Sequence, residues 1–148
     1  MNTATQTEDR FRISTNITEF DLPYIHHYLS RDSYWASGIP IDTVKRSIAH
    51  SLCFGVFEKD KQVGFARVIS DMATFGYLAD VFIDKNYRGL GLSRLLMKTI
   101  MAYPELQHLR NWLLMTKDAH GLYEPYGFTV HPQPERVMRK NNPDCYKR

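Results

Sequence analysis

The sequence predicts a single mixed α/β (α+β) domain, an antiparallel run of strands followed by a helical crossover. Three observations predict it. A chain of 148 residues suits one domain, and its 43% hydrophobic and 24% charged residues are an ordinary globular balance. Three strand-like segments follow one another between Leu52 and Ile83 with no helix among them, which argues against a purely parallel, doubly wound sheet. The clearest amphipathic helix in the chain comes directly afterwards.

Each element has a local reason. Residues 1–10 are polar and read as a flexible leader. Residues 11–14 form a first short strand. Asp21-Leu22-Pro23 starts a helix with Ile25, Tyr28 and Leu29 on one face, residues 33–40 are a loop, and Asp42 caps a second helix carrying Val44 and Ile48. Residues 52–58 and 62–70 are strands joined by a turn at 59–61, which makes a hairpin. In the next strand, 77–83, regular alternation puts Leu78, Asp80 and Phe82 on one face. Leu92, Leu95, Leu96, Ile100 and Tyr103 fall at helical spacing, and Pro104 bars continuation. Residues 111–116 are another strand, and a short helix over 119–126 ends at Gly127. Weak strands at 129–130 and 136–138 complete the order β-α-α-β-β-β-α-β-α-β, before a polar tail at 141–148.

Composition excludes several classes. The net charge of +3 is too small to argue for a nucleic-acid partner. No segment approaches the roughly 20 apolar residues that span a membrane, and the start of the chain has no signal-peptide core. Two cysteines, far apart, fit a reduced cytoplasmic compartment better than a disulfide scaffold. His26 and His27 are helix neighbours that point apart, so no metal site is expected.

The most informative segment runs from Val81 to Arg94. A strand enters a loop holding Arg88, Gly89 and Gly91, and the loop opens into the amphipathic helix. Glycines let a ligand approach backbone N–H groups, the helix start adds free donors, and Arg88 and Arg94 add charge. The pattern suits a pyrophosphate cradle; as a surface turn it would need its glycines for geometry alone. A dinucleotide site fits poorly, because Arg94 stands where a third small residue belongs and an antiparallel meander precedes the loop.

Arg88-Gly89-Leu90-Gly91-Leu92-Ser93 resembles the Arg/Gln-x-x-Gly-x-Gly/Ala signature of the GNAT superfamily of N-acetyltransferases, with Ser93 where Gly or Ala is usual. Leu122-Tyr123-Glu124-Pro125-Tyr126-Gly127-Phe128 is similar to a second family segment, and the resemblance covers about residues 11–140. It implies the GNAT fold, with a cofactor cleft between the central strands, and acetyl-coenzyme A as co-substrate, with no metal. Val81, Phe82 and Ile83 would hold the pantetheine arm; Arg88, Gly89, Leu90, Gly91, Leu92, Ser93 and Arg94 would hold the pyrophosphate. Asp118 stands near where many relatives carry an Asn that touches the arm. The reaction implied is direct attack of a primary amine, on a small molecule or a peptide, upon the thioester. A non-catalytic acyl-CoA sensor is the alternative, and homodimers are common among relatives.

Tyr123 stands at the family position of the general acid, with Tyr126 as its neighbour and competitor. Asp80, a carboxylate inside an apolar strand, is the candidate base; a salt bridge to Arg67 is the competing reading. A backbone N–H of Phe82 or Ile83 would serve the oxyanion. Trp35, Arg67, Asp71 and Tyr77 are candidate acceptor-site residues, with Tyr34 and Phe75 beside them. His120 precedes Tyr123 closely. Neither Cys53 nor Cys145 has partners that suggest a nucleophile.

Overall fold

The computed structural model describes residues 3–147. One five-stranded sheet has the order β1 (Arg12–Ser14), β2 (Leu52–Glu58), β3 (Lys61–Ser70), β4 (Phe75–Ile83), β5 (Asn111–Leu114). The first four strands pair antiparallel, and β4 pairs parallel with β5. The hairpin, the third strand and the crossover thus lie where the sequence puts them.

Helices cover both faces. On one side, α4 (Leu92–Met101) buries Leu92, Leu96, Met97 and Ile100 against Phe54, Val56, Val68 and Leu78. On the other, α2 (Leu22–His27), continued by a wider turn at Tyr28–Asp32, and α3 (Ile41–Ala49) bury Ile25, Leu29, Val44 and Ile48 against Cys53, Phe65 and Phe82. Asp21 caps α2, accepting from the Tyr24 N–H at 3.1 Å. Pro40, and not Asp42, precedes the first residue of α3; Asp42 lies in its first turn, where a carboxylate suits the helix dipole. The last short helix, α5 (His120–Tyr123), tightens into a turn at Glu124–Tyr126 and stops at Gly127, whose φ of 93° admits the left-handed cap.

Three expectations change. The leader carries a helix, α1 (Thr3–Arg10), tethered by Thr7 Oγ1 donating to the Leu90 carbonyl at 2.7 Å and by ion pairs of Glu8 with Lys98 and Arg10 with Glu58; Met1 and Asn2 lie outside the described residues. Residues 129–130 and 136–138 form no strands; Val130 and Met138 stay 72% and 93% exposed, so too little apolar surface is buried there to hold a ladder. The tail is not wholly detached, because Tyr146 packs on the α2–α3 side of the core; Arg148 lies outside the described residues.

A fourth change is the most consequential. β4 does not alternate regularly. Phe65 faces Phe82 while Arg67 faces Ala79, so two steps along β3 span three along β4. The extra residue is a bulge, and Asp80 within it has a φ of 55°, in the left-handed region that ordinary side chains rarely occupy. Leu78 therefore joins the α4 core and Phe82 the α2–α3 core, on opposite faces.

Asp71 also lies elsewhere than expected. It sits in the β3–β4 turn, where Oδ1 accepts the N–H groups of Ala73, Thr74 and Phe75 and Oδ2 accepts the Thr74 hydroxyl. The Thr74 hydroxyl and these backbone donors hold its carboxyl well below the usual carboxylate range. It caps a hairpin and lines no part of the cleft. Because its folded value is depressed, its contribution to stability is full above the ordinary carboxylate value and is lost as pH falls through the folded one. Asp71→Asn is expected to be less stable than the unaltered chain at pH 7 in urea denaturation. The difference should shrink only below about pH 4; a constant difference down to pH 2 would contradict this account.

Candidate active site

β4–β5 pairing stops at Leu78 and Leu114, just where the bulge begins. Beyond it the two strands diverge, and a cleft of about 860 Å³ opens between Ala79–Ile83 on one wall and Met115–Ala119 on the other. The free edge of β4 follows from its register. The Asp84 N–H donates to the Val63 carbonyl at 2.8 Å, so by alternation Phe82 also turns its N–H toward β3. Val81 and Ile83 turn theirs into the cleft, and the Ile83 carbonyl there accepts from Arg88 Nε at 3.3 Å. The Phe82 side chain points away as well, stacked on Tyr28 with centroids 3.9 Å apart. Phe82 is thereby removed as an oxyanion donor.

A second cavity of about 530 Å³ adjoins the first, sharing Ile83, Arg88, Ser93 and Leu122 with it. Tyr87, Gly89, Gly91, Leu92 and Arg94 complete its wall. Gly89 and Gly91 have φ of 79° and 81°, and Gly91 is the N-cap of α4. A Cβ at Gly89 would meet nothing within 4 Å, and one at Gly91 only Thr7 Oγ1 at 3.7 Å. The glycines are thus needed for backbone sign, and the space above them is open. The first helical bond runs from the Leu95 N–H to the Gly91 carbonyl, which leaves the first-turn N–H groups directed out of the helix end. Leu92 itself is buried, and Leu90 packs on the core and accepts from Thr7, so either could reach a ligand only through its backbone.

The cleft brings together Asp80, Tyr77, Trp35, Asp118 and Tyr123. Tyr123 is 8% exposed and packs edge-on against Phe128. Its hydroxyl has no hydrogen-bond partner among the described residues. Burial, followed by the neighbouring Tyr34, raises its pKa, so it holds its proton at neutral pH. Tyr126 is tied elsewhere, its hydroxyl donating to the Arg94 carbonyl at 3.4 Å. His120 is exposed and outside the cleft, and Phe75 lies at the β5-paired end of β4. Burial pushes the Cys53 thiol up to about 12, with Arg67 pulling the other way, so it is no ready nucleophile.

Asp80 differs from a free base. Its Oδ2 accepts from Arg67 Nε at 2.8 Å and its Oδ1 from the Trp35 indole N–H at 2.8 Å. The Arg67 and Asp80 side chains are only 16% and 10% exposed. Arg67 also donates to Ser51 Oγ at 3.2 Å and lines neither of the two cavities, so it acts on the site through Asp80. Three contributors carry no mark in the sequence. Tyr28 accepts from Arg88 Nη2 at 3.3 Å, and the core-facing spacing shared with Ile25 hides that role. Arg139 and Asn141 reach the cleft from a stretch with no pattern to mark it.

The family profile described as an acetyltransferase (GNAT) domain matches residues 49–130. The chain belongs to the GNAT acetyltransferase family. Within that family, a crystal structure of a GNAT member from Xanthomonas campestris pv. campestris, described as a candidate acetyltransferase, is 49% identical. It superposes with a TM-score of 0.90 over 93% of this chain and 97% of that one. A Gibberella zeae protein, also named as a candidate acetyltransferase, is 30% identical over 140 residues, covering 79% of this chain and 77% of its own. A Clostridium acetobutylicum protein solved with acetyl-CoA shares the fold, with a TM-score of 0.65 at 15% identity over 88% of this chain and 94% of that one. The mixed, open sheet of this GNAT domain matches these neighbours.

Breaking a buried pair by removing one partner strands a charge and typically costs roughly 3–5 kcal/mol. Arg67→Met in this GNAT domain is expected to lose stability on that scale in urea denaturation. Arg67→Met combined with Asp80→Asn should recover a large part of it. Additive losses in the double variant would show that the two side chains do not act as a pair.

Proposed function

We propose that this chain is an acetyl-CoA-dependent N-acetyltransferase acting by direct transfer to a primary amine. The observation that carries the reading is the pair of adjoining cavities that share Ile83, Arg88, Ser93 and Leu122. The smaller holds an open glycine loop at a helix start, and the larger has the β4 edge beyond Leu78 along its wall and the proton-bearing hydroxyl of Tyr123 within it. A sensor that only binds the cofactor has no use for a protonated tyrosine hydroxyl that opens into the cleft with no hydrogen-bond partner among the described residues. Neighbours of this fold solved with acetyl-CoA, from Clostridium acetobutylicum and Elizabethkingia anophelis, support the choice of cofactor.

Acetyl-CoA supplies an acetyl group activated as a thioester. The N–H groups of the Gly89–Ser93 turn and the Arg88 guanidinium hold its pyrophosphate oxygens. Val81 and Ile83 offer N–H and C=O groups to the pantetheine arm and N–H groups to the thioester oxygen, with Asp118 on the opposite wall. The amine nitrogen attacks the thioester carbon, a C–N bond forms and the C–S bond breaks. Tyr123 gives its proton to the departing sulfur and recovers one from solvent, which also receives the proton that the amine sheds. Asp80 acts as a positioning residue and not as the base, because both its oxygens are already engaged. Trp35 and Tyr77 line the acceptor end.

Two measurements test this. Acetyl-CoA at 100 times its Kd should stabilise the fold by about 2.7 kcal/mol in thermal unfolding; no shift at millimolar ligand would remove the cofactor assignment. Tyr123→Phe should lower kcat for thiol release by roughly 10²–10⁴-fold, the usual worth of a positioned acid, while leaving acetyl-CoA binding intact. Full turnover in that variant, with chemistry limiting, would remove Tyr123 as the acid.

A further inference from the structure

The loop between Asp32 and Ile41 does more than connect helices. Its flanks are fixed: Ser33 Oγ donates to the Leu29 carbonyl at 2.6 Å and accepts the Ala36 N–H at 3.1 Å, and the Gly38 N–H donates to the Ser30 carbonyl at 3.0 Å. Ser33, Ala36 and Ile39 are buried, whereas Tyr34 and Trp35 between them are 58% and 41% exposed. These two aromatics are tethered at their polar ends, one to each wall of the cleft. The Trp35 indole donates to Asp80 on β4. The Tyr34 hydroxyl accepts the Lys117 N–H at 3.0 Å from the far wall, with Lys117 Nζ 5.7 Å from its ring. The two rings meet edge-on at 5.1 Å. The loop therefore bridges β4 and the segment that follows β5, beyond the point where the two strands stop pairing.

The chain after Gly127 closes on the same end. Arg139 and Asn141 line the cleft, and Arg139 lies close enough to Tyr77 to oppose the rise that burial imposes on its hydroxyl. Tyr146 packs on the α2–α3 core beside the Arg67–Asp80 pair. Two segments from distant parts of the chain thus bound the space beyond Tyr77.

We propose that the Tyr34–Trp35 loop is a strap across the acceptor mouth which, with the 139–146 segment, selects small free amines over lysines carried on folded proteins. The inference rests on the acetyltransferase reading of the cleft. A free amine passes beside the strap. A lysine on a folded surface has a four-carbon stem and brings its protein's bulk against two tethered rings. The strap also keeps bulk water from the thioester between turnovers.

The test uses the full chain with acetyl-CoA and three probes: spermidine and glucosamine as small amines, and folded lysozyme. The small amines should be acetylated with kcat/KM at least 100-fold above lysozyme lysines, read by thiol release and mass spectrometry. Y34F deletes one tether and keeps its ring; W35F deletes the other and leaves a smaller aromatic ring in place. Each should raise KM for the small amine at least fivefold, leave KM for acetyl-CoA within twofold, and increase thiol release without any amine. That last readout holds even if none of the probes is a substrate. Lysozyme acetylation with kcat/KM within 100-fold of the best small amine, or tether variants with unchanged acceptor KM and unchanged amine-free thiol release, would overturn the strap. Absence of thermal stabilisation by acetyl-CoA in the unaltered chain would instead overturn the cofactor reading beneath it.

Discussion

A single inserted residue in β4 organises this molecule, and the Arg67–Asp80 ion pair is the interaction that holds it. A β-bulge ends pairing and re-aims side chains. Here it ends β4–β5 pairing after Leu78, turns Leu78 and Phe82 to opposite faces, and leaves the Val81 and Ile83 backbone unmatched on the side where the strands separate. Left-handed backbone at a non-glycine residue carries strain that the surroundings must over-determine. The surroundings do so with Arg67 on one carboxylate oxygen and Trp35 on the other. The same carboxylate that fixes the bulge therefore also anchors the loop over the cleft.

The chain divides its charges accordingly. Asp80 is compensated by a guanidinium from the neighbouring strand, so a carboxylate can sit in the sheet without a net buried charge. Arg88 and Arg94 are exposed around the glycine turn, and Tyr28 and the Ile83 carbonyl steer the Arg88 side chain. A small overall excess of positive charge is enough, because the cationic groups are concentrated at one helix start.

Much of this was legible in the residues. The β2–β3 hairpin and α4 follow from strong periodicity and clear stop signals, and the strand-loop-helix order around Arg88 and Gly91 follows from their fixed spacing. What escaped has physical causes. A bulge interrupts alternation without altering composition, so Leu78, Asp80 and Phe82 read as one face. Thr129-Val130 and Arg136-Val137-Met138 have strand propensity, but tertiary burial decides strands and these side chains stay exposed. The first ten residues read as disordered because they are polar; α1 is held instead by polar contacts to residues more than 45 positions away. Asp71 looked like a cleft charge because a turn-capping carboxylate and a ligand-facing one look alike in a sequence.

The Tyr34–Lys117 bridge has a consequence for the order in which the protein assembles. The meander from Leu52 to Ile83 is built of near neighbours and closes cheaply, whereas this bridge joins positions 83 residues apart. During synthesis the four antiparallel strands and the helices up to α4 can consolidate while Lys117 is still inside the ribosome. The cleft is thus roofed last. An exposed, two-bond closure of that kind is also among the first contacts to open in the native state, so its backbone amides exchange with solvent well before those of β2 and β3.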